Sequence, residues 1–343
     1  MLMRHHPVLL HGSIPALVTP FRPGDGELDE SALARLAERA VSRGASGVVV
    51  CGSTGEAAAM SPEEQARAIH VVREAVGSRV PVIAGAGASC TQAAAAIAAA
   101  AETCGAAALL CAAPPYVKPS QEGLRAHLRA VASASGLPII LYDVPSRAGV
   151  RFQDETIAKL FEEGTIIAVK DATADLARPA ALRRLCGADL RQLSGDDATS
   201  LAHLAMGGAG CISVTANLVP ALCAAVQEAW REHDLDRAAE LREWLFPLHQ
   251  ALFTETNPVS VKGAMGLLGL CDWTPRLPLL RAGDKGLAEL EGILRDLMPM
   301  EDSLARSLAQ RKHASTLTSQ RKACPAGSRF RLAPTAADDA HFR

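Results

Sequence analysis

The sequence predicts an α/β fold: a (β/α)8 TIM barrel with a C-terminal helical extension. Three observations carry this reading. Eight short apolar runs alternate with helical segments along most of the chain. The runs lack the apolar/polar alternation of an exposed antiparallel sheet, so both faces are buried and the sheet is parallel. The length, 343 residues, accommodates one such barrel plus an extension.

The apolar runs are Ile14–Thr19, Gly47–Val50, Val80–Ala84, Ala106–Leu110, Pro138–Tyr142, Thr165–Val169, Leu190–Leu193 and Gly210–Val214. Helix signals lie between them. Ser61-Pro62-Glu63-Glu64 combines an N-cap Ser, Pro at the first helical position and Glu three residues after the cap. Ser120-Gln121-Glu122 opens another helix, and the alanine-rich Ala93–Ala101 reads as a soluble helix. A doubly wound sheet is the alternative architecture. It usually carries a glycine-rich phosphate fingerprint after its first strand, and Thr19-Pro20-Phe21 has none.

The predicted organisation is a barrel over residues 12–216, then the last barrel helix and a helical appendage over 217–300. From Glu301 onward basic residues outnumber acidic ones and Ser, Thr and Ala dominate, which predicts a disordered basic tail over 301–343. Hydrophobic residues make up 49% and charged residues 21% of the chain, enough apolar matter for a large core. The net charge of −2 gives no general drive toward nucleic acid or an anionic membrane. No apolar run approaches the roughly 20 residues of a membrane span. His5, His6 and His11 interrupt the N-terminal apolar run, which argues against a secretory leader. The nine cysteines are odd in number, none forms CxxC, and Cys51, Cys111 and Cys211 lie in apolar runs. Reduced, buried thiols in a cytoplasmic protein are expected.

A barrel places its chemistry at the C-terminal ends of its strands. Lys170 closes the run Thr165–Val169. An amine there, walled by apolar groups, is a candidate nucleophile; a lysine snorkelling outward or paired with Asp171 is the alternative. The chain has only two tyrosines, Tyr116 and Tyr142, each following an apolar run. Their placement suggests use of the phenol oxygen, although aromatic plugging explains them too. Gly52-Ser53-Thr54-Gly55-Glu56 follows the second run, and its converging amides suit a small carboxylate. Arg147, in Pro145-Ser146-Arg147, could grip a second carboxylate bidentately or make a surface ion pair. Ser194-Gly195-Asp196-Asp197 could be a cap and turn alone. No histidine cluster has metal-ligand spacing, so no metal site is expected.

An imine-forming lysine, two phenols, a carboxylate cradle and an arginine suffice for Schiff-base chemistry on a 2-oxo acid. Gly52–Glu56, Pro119–Gly123, Leu141–Arg147, Val169–Thr173, Leu193–Asp197, Ile212–Asn217 and Asn257-Pro258 resemble the dihydrodipicolinate synthase branch of the pyruvate-dependent aldolase family. That family includes N-acetylneuraminate lyase. The likeness runs from about Gly12 to Leu297 and leaves out the tail.

The resemblance implies a lyase that condenses pyruvate with L-aspartate 4-semialdehyde, without a cofactor, on the route to diaminopimelate and lysine. It implies that Lys170 forms the imine and that Tyr142 shuttles protons. Ser53 would link Tyr142 to Tyr116, which would reach across a dimer interface. Thr54 would hold the pyruvate carboxylate, Arg147 would receive the aldehyde substrate's carboxylate, and Gly195 and Ile212 would line the site. It further implies a homotetramer built of two tight dimers. Ser53, Asp143, Asp171 and Pro115 stand where Thr, Asn, Glu and Tyr are common. Another pyruvate-dependent aldolase or dehydratase acting on a sugar acid is the alternative activity, and a non-enzymatic regulatory paralogue the alternative class. Feedback-inhibited members hold lysine in a cleft at the tight-dimer interface. There this chain has Ala93 for the acid, Ser89 for an Asn, Pro62 and Gln65 for a His pair and Pro115 for a Tyr, which implies weak inhibition by lysine.

Overall fold

The computed structural model describes residues 8–323, with side chains over 8–311. Eight strands form one parallel sheet in the order β1-β8-β7-β6-β5-β4-β3-β2. They are β1 (Gly12–Pro15), β2 (Val48–Val50), β3 (Val82–Gly85), β4 (Ala108–Ala112), β5 (Ile139–Asp143), β6 (Ala168–Asp171), β7 (Arg191–Ser194) and β8 (Gly210–Ser213). A parallel bridge between Ala16 and Val49, with Leu17 N–H donating to the Val49 carbonyl at 2.9 Å, brings β1 against β2 and closes the barrel.

Helices Glu30–Ser42, Pro62–Val76, Thr91–Thr103, Gln121–Ala134, Asp154–Glu162, Arg178–Cys186, Ser200–Ala205 and Pro220–Arg231 follow the eight strands in turn. The start signals read from sequence act as expected. Ser61 and Glu64 form a reciprocal capping box, and the Ser120 hydroxyl accepts from Gly123 N–H at 3.2 Å. Ile14, Val49, Ile83, Leu110, Ile140, Leu193 and Ile212 fill the barrel interior, and a second layer packs between strands and helices. Burial on both faces accounts for the continuous apolar runs.

The expected first strand is displaced. Val18 and Thr19 have left the sheet, because Val18 N–H donates to Asn217 Oδ1 (3.1 Å) and the Thr19 hydroxyl to the Gly55 carbonyl (2.6 Å). The sixth strand begins later than its apolar run, so Lys170 sits inside paired β6 rather than beyond it. Helices Leu235–Ala251, Val259–Leu267 and Asp284–Ala323 form the appendage, and Leu245, Leu248, Met265, Leu290 and Leu297 pack with barrel residues such as Val18, Leu36, Val214 and Leu222 in one shared core.

The last helix passes the boundary expected at 301 and continues to Ala323. Glu301 is fully buried there. Its carboxylate accepts from Ala221 N–H (3.1 Å) and Leu222 N–H (2.9 Å) at the start of helix Pro220–Arg231, and from Arg43 (2.9 Å). A carboxylate at a helix N-terminus meets unpaired amides and a favourable dipole, so the chain is held where composition alone suggested release. The N-terminal histidines His5 and His6, and the tail beyond residue 323, lie outside the described residues. Among the described residues no helix is long and apolar enough to cross a membrane, and eight cysteines are unpaired.

Candidate active site

The βα loops above the strand ends, with the segment around Asn257 and Arg276, enclose a cavity of about 770 Å³. Its wall includes Ser53, Tyr142, Arg147 and Asn257. Tyr142 and Lys170 are register partners on β5 and β6. The lysine amine lies 4.2 Å from the centroid of the Tyr142 ring. Both residues are buried, with exposures of 9% for Tyr142 and 6% for Lys170. Lys170 makes no ion pair or hydrogen bond among the described residues. The alternative partner, Asp171, faces the other side of the strand, as the two-residue period demands. It bonds Thr173 N–H and hydroxyl at 2.8 and 2.7 Å. Lys170 therefore offers an unpaired amine in a largely apolar setting.

Gly195 explains part of that setting. A Cβ on it would stand 3.1 Å from Lys170 Cε and 2.9 Å from Ala172 Cβ. A side chain here would press on the lysine stem, so the loop after β7 can close over it only with glycine. Ile212 is 1% exposed and belongs to the barrel interior.

The Gly52–Glu56 loop turns sharply, with Cys51 and Glu56 both at positive φ. Gly55 N–H returns to the Gly52 carbonyl, Glu56 N–H to Ser53 and Ala57 N–H to Gly52. The Ser53 and Thr54 amides donate to no acceptor among the described residues. Two adjacent free N–H groups at a tight turn form a concavity for an anion. The Thr54 side chain is buried, and its Oγ1 accepts from Asn257 Nδ2 at 3.0 Å. Glu56 is held below by the buried amine of Lys262 at 2.5 Å and accepts Arg276 N–H at 2.8 Å. Burial pulls the Lys262 amine below its ordinary range, with Glu56 acting against the shift. Burial pushes the Cys51 thiol, just before the loop, up to about 12.

Arg147 is exposed at the cavity wall. Its Nη2 donates to the Asn257 carbonyl at 2.7 Å, and it has no ion-pair partner among the described residues. Tyr116 is not brought into the site within one chain. It is 93% exposed, at φ +74°, and makes no hydrogen bond to Ser53 or Tyr142. No group of three His, Cys, Asp or Glu among the described residues could hold a metal ion.

The comparisons agree with one another. The Dihydrodipicolinate synthetase family matches residues 9–297. This chain belongs to that family. A 4-hydroxy-tetrahydrodipicolinate synthase of Acidiphilium cryptum is 45% identical over 289 residues, which cover 84% of this chain and 99% of the relative. Among solved structures, the chloride-inhibited dihydrodipicolinate synthase of Acinetobacter baumannii in complex with pyruvate shares 38% identity at a TM-score of 0.81. That match covers 84% of this chain and 99% of the other. The Cyanidioschyzon merolae enzyme with lysine bound shares 33% identity at a TM-score of 0.80, covering 83% and 97%.

Sequence reading missed two contributors. Asn257 was noticed only as a motif, yet it bonds Thr54 through its side chain and Arg147 through its carbonyl. Lys262 was invisible as a partner of Glu56, because the two lie in segments that only the fold brings together.

Proposed function

We infer that this chain is a class I, Schiff-base lyase that condenses pyruvate with L-aspartate 4-semialdehyde to 4-hydroxy-tetrahydrodipicolinate. The observation that carries the site assignment is the unpaired Lys170 amine beside Tyr142, in a barrel whose Ser53–Thr54 amides are free to take a carboxylate. Pyruvate binds with its carboxylate on the Ser53 and Thr54 N–H groups and the Thr54 hydroxyl. Lys170 Nζ attacks C2, water leaves and an imine forms. The imine nitrogen serves as the electron sink, so this step needs no cofactor. A proton leaves C3 to give the enamine. C3 then bonds to the aldehyde carbon, and the aldehyde oxygen is protonated. The substrate's amine attacks C2, the ring closes and Lys170 is released as the free amine.

Tyr142 is the proton carrier, because its ring is packed against the lysine amine and the residue lines the cavity. Arg147 receives the carboxylate of the semialdehyde. Tyr116 and Ser53 complete the proton path in an assembled dimer, consistent with a phenol left 93% exposed in the single chain. A cytoplasmic homotetramer with small-molecule substrates is the assembly this reading carries. Weak inhibition by lysine belongs to the same reading. Ala93 and Ser89 are exposed, Gln65 donates to the Ala57 carbonyl (3.0 Å), and the nearby acids Glu56 and Glu122 are engaged by Lys262 and Arg125.

The test is a steady-state assay of the purified protein with pyruvate plus aspartate semialdehyde, against pyruvate plus a panel of sugar aldehydes. Turnover confined to the semialdehyde supports the reading, and preference for a sugar aldehyde overturns it.

A further inference from the structure

Lys170 and Tyr142 meet inside the barrel, and the residues that follow them, Asp171 and Asp143, are register partners facing outward. Both carboxylates converge on one guanidinium. Arg178, at the start of helix Arg178–Cys186, places Nη1 2.6 Å from Asp143 Oδ2 and 3.5 Å from Asp171 Oδ2. Its Nε donates to Asp154 Oδ1 at 2.8 Å and its Nη2 to the Phe152 carbonyl at 2.7 Å. The Arg178 side chain has no exposure at all, and that of Asp143 has 1%.

Among the described residues no other ion-pair cluster joins two neighbouring strands. Burial works against ionising either partner: it raises the Asp143 carboxyl above its ordinary range against the pull of Arg178. A buried ion pair is weak evidence for stability, and its best-attested use is to fix one arrangement. Here the arrangement fixed is the pair of strand ends that aims Lys170 and Tyr142. The same ends are tied by Ala172 N–H to the Asp143 carbonyl (3.0 Å) and Gly195 N–H to the Asp171 carbonyl (2.6 Å).

We propose that Arg178 is a positioning residue for the reaction, clamping β5 and β6 from outside so that Tyr142 and Lys170 are held together inside. The proposal rests on Lys170 being the imine lysine. Asp143 is the main anchor. Asp171 lies farther off, at 3.5 Å, and the longer side chain of Asp171→Glu can take over when Asp143 is lost. Misplacing a reacting group by about 1 Å can cost on the order of 100-fold in rate, whereas substrate binding in the separate carboxylate loop is left alone.

The experiment uses the full chain with pyruvate and aspartate semialdehyde. Circular dichroism verifies the fold of each variant, and borohydride trapping with peptide mapping is done first on the unaltered enzyme. Arg178→Met is expected to lower kcat at least about tenfold while the pyruvate KM stays within about threefold. Asp143→Asn, which leaves Arg178 bonded to Asp154 and near Asp171, is expected to lower kcat about threefold or more. Asp143→Asn with Asp171→Glu should return kcat to within about twofold of the original. This rescue keeps the test decisive even if Arg178→Met does not fold. An adduct at another lysine overturns the imine assignment. An adduct at Lys170, together with full kcat in Asp143→Asn or no recovery in the double variant, overturns the clamp alone.

Discussion

Asn257 Nδ2 donates to Thr54 Oγ1 across 3.0 Å, joining loops 203 residues apart in the chain. This bond ties the segment that opens helix Val259–Leu267 of the appendage to the turn after β2, where the proposed reading seats the pyruvate carboxylate. A neutral hydrogen bond contributes about 0.5–1.5 kcal/mol net, so Asn257→Ala is expected to raise the pyruvate KM by roughly three- to tenfold with little change in kcat. Steady-state kinetics with pyruvate as the varied substrate check this. An unchanged KM would show that the Thr54 hydroxyl is oriented without Asn257.

Tyr142→Phe keeps the ring over Lys170 and removes the phenol oxygen. General acid–base catalysis contributes about 10²–10⁴-fold, and kcat should fall by that order while borohydride still traps pyruvate on the enzyme. Retention of kcat within a few-fold would remove Tyr142 from the proton path.

Much of the barrel was legible in the sequence because a parallel sheet buried on both faces needs continuous apolar strands, and the runs Val80–Ala84 and Pro138–Tyr142 cover most of the strands Val82–Gly85 and Ile139–Asp143. Lys170 and Tyr142 drew attention because each lies one residue from the end of its strand, and Thr54 because it sits in the glycine-flanked turn after β2. What sequence could not provide was pairing at a distance. Arg178 is one of several arginines in its helix, and only the fold shows it buried against two strand ends. Glu301 sat in a basic, serine-rich stretch, and composition could not reveal the unpaired amides of Ala221 and Leu222 that hold it.

Arg147→Ala should act mainly on the aldehyde substrate. A charge-assisted pair with a carboxylate is worth about 1.5–3 kcal/mol, or roughly 10- to 100-fold in its KM. A smaller rise in the pyruvate KM accompanies it, because Arg147 also bonds the Asn257 carbonyl. Equal effects on both substrates would contradict the assignment.

The Arg276 guanidinium beside Glu64 holds that carboxyl down at about 2, from an ordinary value of 4.5. A lowered folded-state value contributes stability that is present above about pH 4.5 and lost as pH falls toward 2. With the Glu64 side chain 13% exposed, the contribution is on the order of 1–3 kcal/mol. Glu64→Gln should therefore melt below the unaltered protein at pH 7, and the gap should narrow as both are titrated from pH 4.5 downward. A gap independent of pH would assign the effect to packing.

L-lysine should inhibit weakly. Glu56 is 5% exposed and paired with Lys262, and Glu122 pairs with Arg125, so neither is free to replace the acid absent at Ala93. A buried ammonium without a partner carboxylate loses about 2–5 kcal/mol. Initial rates titrated with L-lysine should show half-inhibition only above about a millimolar. Inhibition at lower concentration would mean that other groups form the cleft.

The central claim is that the unpaired Lys170 amine becomes the imine, and the most direct measurement is reductive trapping. The protein is incubated with pyruvate and borohydride, digested and mapped by mass spectrometry. One reduced pyruvate should appear on the peptide carrying Lys170, and none after Lys170→Ala. Lys262 should stay unlabelled, because its amine is fully buried against Glu56 at 2.5 Å. A pyruvate adduct on Lys262 or Lys118, or trapping that survives Lys170→Ala, would contradict the account.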